Sequence, residues 1–164
     1  MTDRLTIADL AELYEGAAGA KDAMALYRLV DALVLKRIGH RLFTIMRLHE
    51  SGQEVERVYS SNEQAYPVLG RKKKQGTHWG DQVLGRGQVH IARTKEDVKR
   101  VFADYELIFS LGVGSIMNMP VSFRGRQLGT MNISGEENQY TEADVRAARA
   151  IAAYLVPVFL AEYS

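Results

Sequence analysis

The sequence predicts an α+β fold in which hairpin-joined antiparallel strands are flanked by helices at both ends of the chain. Two pairs of segments rich in Val, Ile, Met, Phe and Thr indicate the strands: Arg41–Leu48 with Val55–Ser60, and Ser115–Phe123 with Arg126–Ile133. Apolar residues at helical spacing precede the first pair and follow the second. The composition, 46% hydrophobic and 25% charged over 164 residues, fits one globular domain.

The first part of the chain is predicted to form two helices and a hairpin. Helices are expected over Thr6–Glu15 and Lys21–His40, because apolar residues recur there three and four positions apart. The strands Arg41–Leu48 and Val55–Ser60 follow, joined by a turn at Glu50–Gln53. These strands would begin a sheet.

The middle of the chain has weaker periodicity, and glycine and proline recur in it. Ser61–Gly87 is therefore expected to form loops with a short helix near Gly80–Leu84. A brief strand is predicted at Gln88–Ala92. One continuous helix is predicted over Lys95–Leu111, with Thr94 as its N-cap.

The second hairpin contains two asparagines whose orientation depends on the strand register. Arg124-Gly125 has the chemistry of a two-residue turn, which would place Asn118 opposite Met131 and direct the two amides to opposite faces of the sheet. A three-residue loop would instead place Asn118 opposite Asn132 on one face. Turn chemistry favours the two-residue turn, and we adopt that register.

The last predicted helix covers Glu142–Glu162. Thr141 is its expected N-cap, and Asp144 occupies the acidic position of a capping box. Pro157 lacks a backbone donor, so we expect a kink there or a helix end near Leu155.

Charge and residue usage limit the classes of function. The formal net charge is +1, from 21 basic and 20 acidic side chains, so no overall field favours nucleic acid or a membrane surface. Cysteine is absent, which excludes disulfides, thiolate metal sites and catalytic thiols. Neither a leader pattern nor a membrane-spanning segment is visible, so we expect a cytoplasmic protein. The basic run Arg71–Lys74 is expected to be a solvated loop, without an aromatic platform for nucleic acid bases.

Three segments, in their order and spacing, resemble a known family. Ser115–Val121 has the pattern S-x-x-N-x-P-V, Gly125–Asn132 has G-R-x-L-G-x-x-N, and Tyr140–Asp144 contains the T-E-x-D helix start. Together with the surrounding elements they resemble a GAF domain, and the likeness covers roughly Ala23 to Val156. The sequence is thus similar to stand-alone GAF domain proteins of the bacterial type.

This resemblance implies a central antiparallel sheet of five to six strands, related to the PAS and profilin-like folds. Terminal helices would pack on one face, and loops and short helices would form a pocket on the other. Members of the family sense cyclic nucleotides, bilins, haem, amino acids or other metabolites, and often dimerise through the terminal helices. We expect one domain over 1–164, with a helical extension at 1–20, the core at 21–156 and the tail of the last helix at 157–164.

Specialised branches of the family can be compared with individual residues. The free methionine sulfoxide reductases of this fold use cysteine thiols, and bilin photoreceptors generally attach their chromophore through cysteine, which this chain lacks. For the signature of cyclic-nucleotide-binding members this chain offers Asn132, Tyr140 and Asp144, but Ile133 replaces its Lys and Val145 its Glu. The resemblance therefore gives no support to binding of a cyclic nucleotide.

Candidate ligand-binding residues fall in the irregular middle and on the second hairpin. Each has a structural alternative: the only Trp can anchor a loop, a strand His can be satisfied within the sheet, and an Asn can bind backbone groups. Tyr105 lies one turn from Phe102 in the predicted helix, as a core contact or with its hydroxyl at a cavity. The candidates are Thr77, His78, Trp79, His90, Tyr105, Ser115, Asn118 and Asn132.

The function favoured by these observations is a sensory or regulatory module that binds a small metabolite. No catalytic constellation, metal-ligand spacing or cofactor motif is recognisable. Two alternatives stay open: a cysteine-independent enzyme with His78 or His90 as acid or base, and a structural dimerisation domain without ligand. A homodimer is expected through apolar residues of the terminal helices, namely Leu10, Leu13, Tyr14, Val30, Leu33, Val34, Ile151, Leu155 and Phe159.

Overall fold

Residues 3–49, 51–73 and 77–161 are described by a computed structural model, in which they form a six-stranded antiparallel sheet of order β3-β2-β1-β6-β5-β4. The strands are β1 (Leu42–Leu48), β2 (Glu54–Ser60), β3 (Arg71–Lys73), β4 (His90–Ala92), β5 (Ser115–Phe123) and β6 (Arg126–Gly135). The helices are α1 (Ile7–Gly19), α2 (Ala23–Arg37), a π-helix (Gly80–Gly85), α3 (Lys95–Val101), α4 (Tyr105–Ser110), α5 (Glu142–Ala152) and α6 (Leu155–Ala161). The α+β class and the antiparallel sheet are as the sequence predicts.

The terminal helices α1, α2, α5 and α6 cover one face of the sheet. Alternate residues of the central strands point toward them, because successive side chains of a strand face opposite sides. The strand residues of the resulting core are Phe43, Ile45, Met117, Met119, Val121, Met131 and Ile133. The π-helix, α3, α4 and the Ser61–Gly70 loop cover the other face over a smaller core.

Three helices begin with the capping chemistry that their sequences contain. Each has a threonine N-cap with an aspartate three residues later, whose carboxylate accepts a hydrogen bond from the backbone N–H of the threonine. The pairs are Thr6 with Asp9, Thr94 with Asp97, and Thr141 with Asp144. The predicted caps at Thr94 and Thr141 are therefore confirmed.

The hairpin of β5 and β6 has the predicted turn but not the predicted register. Arg124 and Gly125 have positive φ values of 50° and 77°, as a two-residue turn of this kind requires. However, Val121 pairs with Gly129 while Ser122 pairs with Gln127, so Leu128 is an extra residue that forms a β-bulge. The bulge brings Asn118 opposite Asn132, and the prediction that their amides lie on opposite faces is wrong.

The prediction of a single helix over Lys95–Leu111 is also wrong, because the chain leaves helical geometry at Phe102. This residue has φ −110° and ψ 120° and separates α3 from α4. The extended backbone lets the Phe102 ring bury in the smaller core. Phe102 and Tyr105 consequently do not lie one turn apart on one helix.

The C-terminal helix is interrupted as predicted near Leu155, where α6 begins after a break at Ala153 and Tyr154. Pro157 is the third residue of α6, in the first turn, where its missing N–H breaks no helical hydrogen bond. The predicted end at Glu162 lies outside the described residues.

The basic run expected to be a loop is an edge strand in its described part. Arg71, Lys72 and Lys73 pair with β2, with Val55 opposite Lys72. Lys74 of this run, like Glu50 of the first turn, lies outside the described residues. The sequence lacks apolar alternation here because β3 is short and at the edge, so strand pairing rather than burial defines it.

Among the residues that the structure describes, no helix combines the length and the apolar character needed to cross a membrane. The apolar residues on which the homodimer prediction rests are mostly internal: Leu13, Val30, Leu33, Val34, Ile151, Leu155 and Phe159 are buried in the core beneath the terminal helices. Tyr14, by contrast, is 66% exposed. These buried side chains pack against the sheet of their own chain, so they are not available for contact with a second copy.

Candidate functional site

A small cavity lies between the sheet and the elements that cover its second face. Its volume is about 50 Å³, room for a few water molecules. Residues from all strands except β4, from the 61–73 and 77–85 segments and from the α3–α4 region surround it. They are Leu42, Thr44, Met46, Arg57, Tyr66, Lys72, Trp79, Phe102, Asp104, Ile108, Ile116, Asn118, Asn132 and Ser134.

A row of hydrogen-bonded side chains crosses four adjacent strands, and three of its members, Thr44, Asn118 and Asn132, form the floor of the cavity. His90 Nδ1 lies 3.2 Å from Asn118 Oδ1, and since an amide oxygen can only accept, the imidazole donates. Asn118 Nδ2 donates to Asn132 Oδ1 over 2.9 Å, and Asn132 Nδ2 donates to Thr44 Oγ1 over 3.1 Å. We call these four residues the amide row. The bulge at Leu128 creates it, because only the shifted register places the two amides side by side.

A cluster of charged and aromatic side chains forms the opposite end of the cavity. Arg57 donates from Nη1 to the Pro67 carbonyl oxygen over 2.9 Å, and its Cζ lies 5.0 Å from the centre of the Tyr66 ring. Tyr66 donates from its hydroxyl to Asp104 Oδ2 over 2.6 Å. Lys72 Nζ lies 4.0 Å from the same carboxylate oxygen. We call Arg57, Tyr66, Lys72 and Asp104 the charged cluster.

Burial perturbs the ionisation of this cluster. Loss of solvation lowers the pKa of Arg57 and of Lys72, although the nearby Asp104 carboxylate opposes the change in both. Burial, assisted by the hydrogen bond to Asp104, raises the pKa of the Tyr66 hydroxyl. The Arg57 Nε atom is buried and has no hydrogen-bond partner among the described residues. The site therefore holds a poorly solvated cation with an unused donor.

The remaining walls are apolar and aromatic. Trp79 is 5% exposed and packs in the smaller core with Phe102 and Ile116. Trp79 directly precedes the π-helix, and its side chain lines the cavity. Large flat apolar surfaces with few polar groups are typical of sites for small molecules.

Of the residues predicted from the sequence, Trp79, Asn118 and Asn132 line the cavity. His90 does not line it but contacts it through Asn118. His78 is exposed and lies with His90 at a separate surface groove of about 390 Å³, with 5.7 Å between the ring centres.

The other three predicted residues lie elsewhere. Thr77 accepts a hydrogen bond from the backbone N–H of Gly80 through its hydroxyl oxygen, at the start of the π-helix. Tyr105 packs against Phe109 with 5.7 Å between ring centres. Ser115 is fully buried, and among the described residues its hydroxyl finds no hydrogen-bond partner.

The charged cluster is the part of the site that sequence reasoning missed. One signal was present: Arg57 follows Val55 by two residues, so a charged side chain occupies the inward face of a half-buried strand. Arg57 is in fact only 6% exposed. Tyr66 lies on a segment without periodicity and Asp104 in the predicted helix Lys95–Leu111, and only the fold brings them together.

Within the described ranges, no three His, Asp or Glu side chains come together in a way that would hold a metal ion.

Comparisons with known proteins agree with this architecture. The family model for the GAF domain matches residues 10–156. A search of curated proteins found no match. The structure is similar to the GAF domain of a phosphoenolpyruvate-protein phosphotransferase from Acinetobacter, with 14% identity, 99% of this chain and 97% of that chain covered, and a TM-score of 0.79.

Two further solved structures have the same fold. The GAF domain of a phosphoenolpyruvate-protein phosphotransferase from Coxiella burnetii has 15% identity, with 96% of each chain covered and a TM-score of 0.72. The GAF domain of a two-component sensor histidine kinase from Bacillus halodurans has 12% identity, with 87% of this chain and 99% of that chain covered and a TM-score of 0.70. At these identities the similarity establishes the fold alone. With the family model matching 10–156, the chain belongs to the GAF domain family, whose members are ligand-binding sensory and regulatory modules.

Proposed function

We propose that this GAF domain binds a small polar metabolite in the cavity between the amide row and the charged cluster, and that it acts as a sensory module rather than an enzyme. The observation that carries the proposal is the difference between the two faces of one sheet. On the helix-covered face, the middle of β5 and β6 presents apolar side chains such as Met119 and Met131, with the buried Ser115 at the start of β5. On the cavity face, the same strands present Asn118 and Asn132.

If the cavity face served only as a structural core, polar side chains would not be favoured there. Burial of a polar group costs free energy even when a hydrogen bond compensates for it, so apolar residues of similar volume usually serve a core as well or better. Each side-chain amide nitrogen carries two hydrogens. Asn118 and Asn132 each donate one of them to a neighbour in the amide row. The second hydrogen of each supports a role in ligand recognition.

The positions of the two histidines support binding rather than catalysis. His78 is exposed and does not line the cavity, and His90 is held by Asn118. A general acid or base must come within hydrogen-bond reach of the reacting group. A ligand in this cavity would meet amides, a tyrosine hydroxyl and cations, which are groups suited to recognition.

The single Trp of the chain provides an experiment, because Trp79 is both the only indole and part of the cavity wall. We expect a screen of water-soluble metabolites to yield compounds that change the Trp79 fluorescence and raise the melting temperature. A ligand at a hundredfold excess over its dissociation constant adds about 2.7 kcal/mol to the unfolding free energy.

A pair of variants makes the test specific to the cavity. Ser134→Leu places extra volume on the cavity floor, whereas Ser122→Leu makes the same change at an exposed position of β5. Binding should be lost in the first and kept in the second, with circular dichroism showing that both fold. Binding that survives Ser134→Leu, or a full screen without a hit, would contradict the proposal.

The homodimer stays a prediction and is tested separately. The terminal helices keep a few exposed apolar residues, of which Ile7, Tyr14 and Leu35 are 87%, 66% and 54% exposed. We propose that two copies pair through this helical surface. Sedimentation at micromolar concentration should show a dimer that Tyr14→Lys weakens, and a monomeric wild-type chain would exclude it.

A further inference from the structure

We infer that the ligand of this cavity is a small organic anion, bound through a carboxylate by Arg57 and Lys72, with its uncharged polar end on the amide row. This inference rests on the proposed function and adds the chemical class of the ligand. Three observations support it: the net positive charge of the lining residues, the unused Nε donor of Arg57, and the difference in exposure between the two ends of the cavity.

The charges around the cavity do not balance. Among the described lining residues, Arg57 and Lys72 are cationic and Asp104 is anionic, which leaves one positive charge in excess. Asp104 already accepts the hydrogen bond of Tyr66, and its oxygen is 4.0 Å from Lys72, longer than a direct hydrogen bond. A monoanionic ligand would neutralise the excess and reduce the cost of burying the Arg57 guanidinium, which is 6% exposed.

Arg57 is held in a geometry that a carboxylate can use. Its Nη1 is occupied by the Pro67 carbonyl oxygen, and the Tyr66 ring packs on the guanidinium, so the group is fixed on two sides. The buried Nε has no hydrogen-bond partner among the described residues. An arginine presents its donors as a planar fork that matches the two oxygens of a carboxylate, and an unmade bond at a buried donor costs free energy until a ligand supplies the acceptor.

The gradient of burial orients the ligand. The side chains of Lys72 and Asp104 are 39% and 33% exposed, so this side of the charged cluster lies toward solvent, whereas Arg57 is 6% exposed. Asn118 and Asn132 are 4% and 8% exposed, so the amide row lies at the buried end. A ligand would therefore place its carboxylate near the mouth and a carbonyl, hydroxyl or amide group on the floor. The volume of about 50 Å³ favours a short molecule.

Phosphate is also an anion that Arg and Lys can bind. A monocarboxylate fits better, because it is planar like the arginine fork and its single charge matches the net charge of +1 on the lining residues. The full chain is titrated with pyruvate, lactate, succinate and 2-oxoglutarate, each beside its neutral amide, and with inorganic phosphate. Trp79 fluorescence and calorimetry report the dissociation constants. At least one acid should bind, and its amide should bind at least about tenfold more weakly, since a charge-assisted bidentate contact is lost.

Two neighbouring lysines provide a matched pair of variants. Lys72→Met should weaken binding of that acid by about tenfold, whereas Lys73→Met, at an exposed position of the same strand, should leave binding unchanged. Arg57→Lys should also abolish tight binding although it keeps the charge, because the fork is lost. Since Arg57 is buried, circular dichroism must show that this variant folds, and Lys72→Met decides the question if it does not.

The outcomes separate this inference from the proposed function. Equal binding of an acid and its amide, unchanged binding in Lys72→Met, or phosphate bound more tightly than every acid would each overturn the inference. Neutral metabolites that bind while no acid does would overturn it and leave the proposed function standing. A panel in which neither acids nor neutral metabolites bind would overturn both.

Discussion

The side-chain amide of Asn118 donates a hydrogen bond to the side-chain oxygen of Asn132, 2.9 Å away on the directly opposite residue of the neighbouring strand. Both side chains are buried, and the same row includes His90 and Thr44. Because a buried polar group that loses its partner keeps its desolvation cost, these residues should be energetically coupled.

A double-mutant cycle tests this coupling. Asn118→Leu or Asn132→Leu alone should lower the free energy of unfolding by about 2 kcal/mol, because each leaves its partner unsatisfied. The double variant should lose about 1 kcal/mol less than the sum of the two. A second cycle of Asn118→Leu with Thr44→Val should show weaker coupling, since Thr44 bonds only to Asn132 in the row. Additive effects in the first cycle would show that the row is not an energetic unit.

The stability of the domain should depend on pH through His90. Burial lowers the pKa of His90, despite the hydrogen bond from its ring to Asn118; His78 adds to this effect and Asp97 opposes it. The unfolded chain therefore binds a proton below about pH 6.5 that the folded chain resists. Stability attributable to His90 is complete above that pH and declines as the pH falls below it.

Denaturant unfolding at a series of pH values measures this effect. The wild-type free energy of unfolding should fall between about pH 7 and pH 5, and His90→Gln should flatten the decline. His49→Gln, which changes a histidine just after β1, serves as the control. An identical slope in wild type and His90→Gln would contradict the assignment.

Gly129 allows β6 to approach β1 closely. A Cβ atom added there would lie 2.2 Å from the Met46 carbonyl oxygen and 2.8 Å from Cε2 of Phe159. Gly129→Ala should therefore destabilise the fold by about 3 kcal/mol, at the upper end of overpacking effects, because backbone must move. A Cβ atom added at Gly19 in α1 would have no atom within 4 Å. Gly19→Ala should therefore be neutral or stabilise the fold by about 0.5 kcal/mol. Similar melting temperatures for wild type and Gly129→Ala would contradict the close approach.

Local chemistry explains which parts of the fold could be predicted. The caps at Thr94 and Thr141 and the turn at Arg124-Gly125 depend on a few neighbouring residues, and all three are present in the structure. The break at Phe102 depends instead on burial of its ring against distant segments. Helical periodicity continues through it in the sequence, so the pattern gives no warning.

The bulge at Leu128 shows how one residue can reverse a prediction about a site. The two-residue turn is correct, yet the extra residue restores the pairing that a three-residue loop would have produced. The apolar alternation of Met117, Met119 and Val121 with Met131 and Ile133 already favoured that pairing. Where turn chemistry and face patterning conflict, a bulge can satisfy both.

The candidate site was predicted only in part, since Trp79, Asn118 and Asn132 carry residue-type signals and the charged cluster does not. Tyr66 and Asp104 meet across 38 residues of sequence, through a hydrogen bond that no local pattern encodes. Lys72 belongs to a basic run that is typical of solvated loops. Its partial burial depends on pairing of β3 with β2.

The most direct test of ligand binding in this cavity is a nuclear magnetic resonance titration of the full chain with the tightest compound from the metabolite screen. The indole N–H of Trp79 and the side-chain amides of Asn118 and Asn132 report on the wall and the floor. We predict saturable shifts of these three resonances, with little change at the exposed amide of Asn138. Saturable binding that leaves all three unmoved would place the ligand elsewhere and contradict the assignment of the cavity as the binding site.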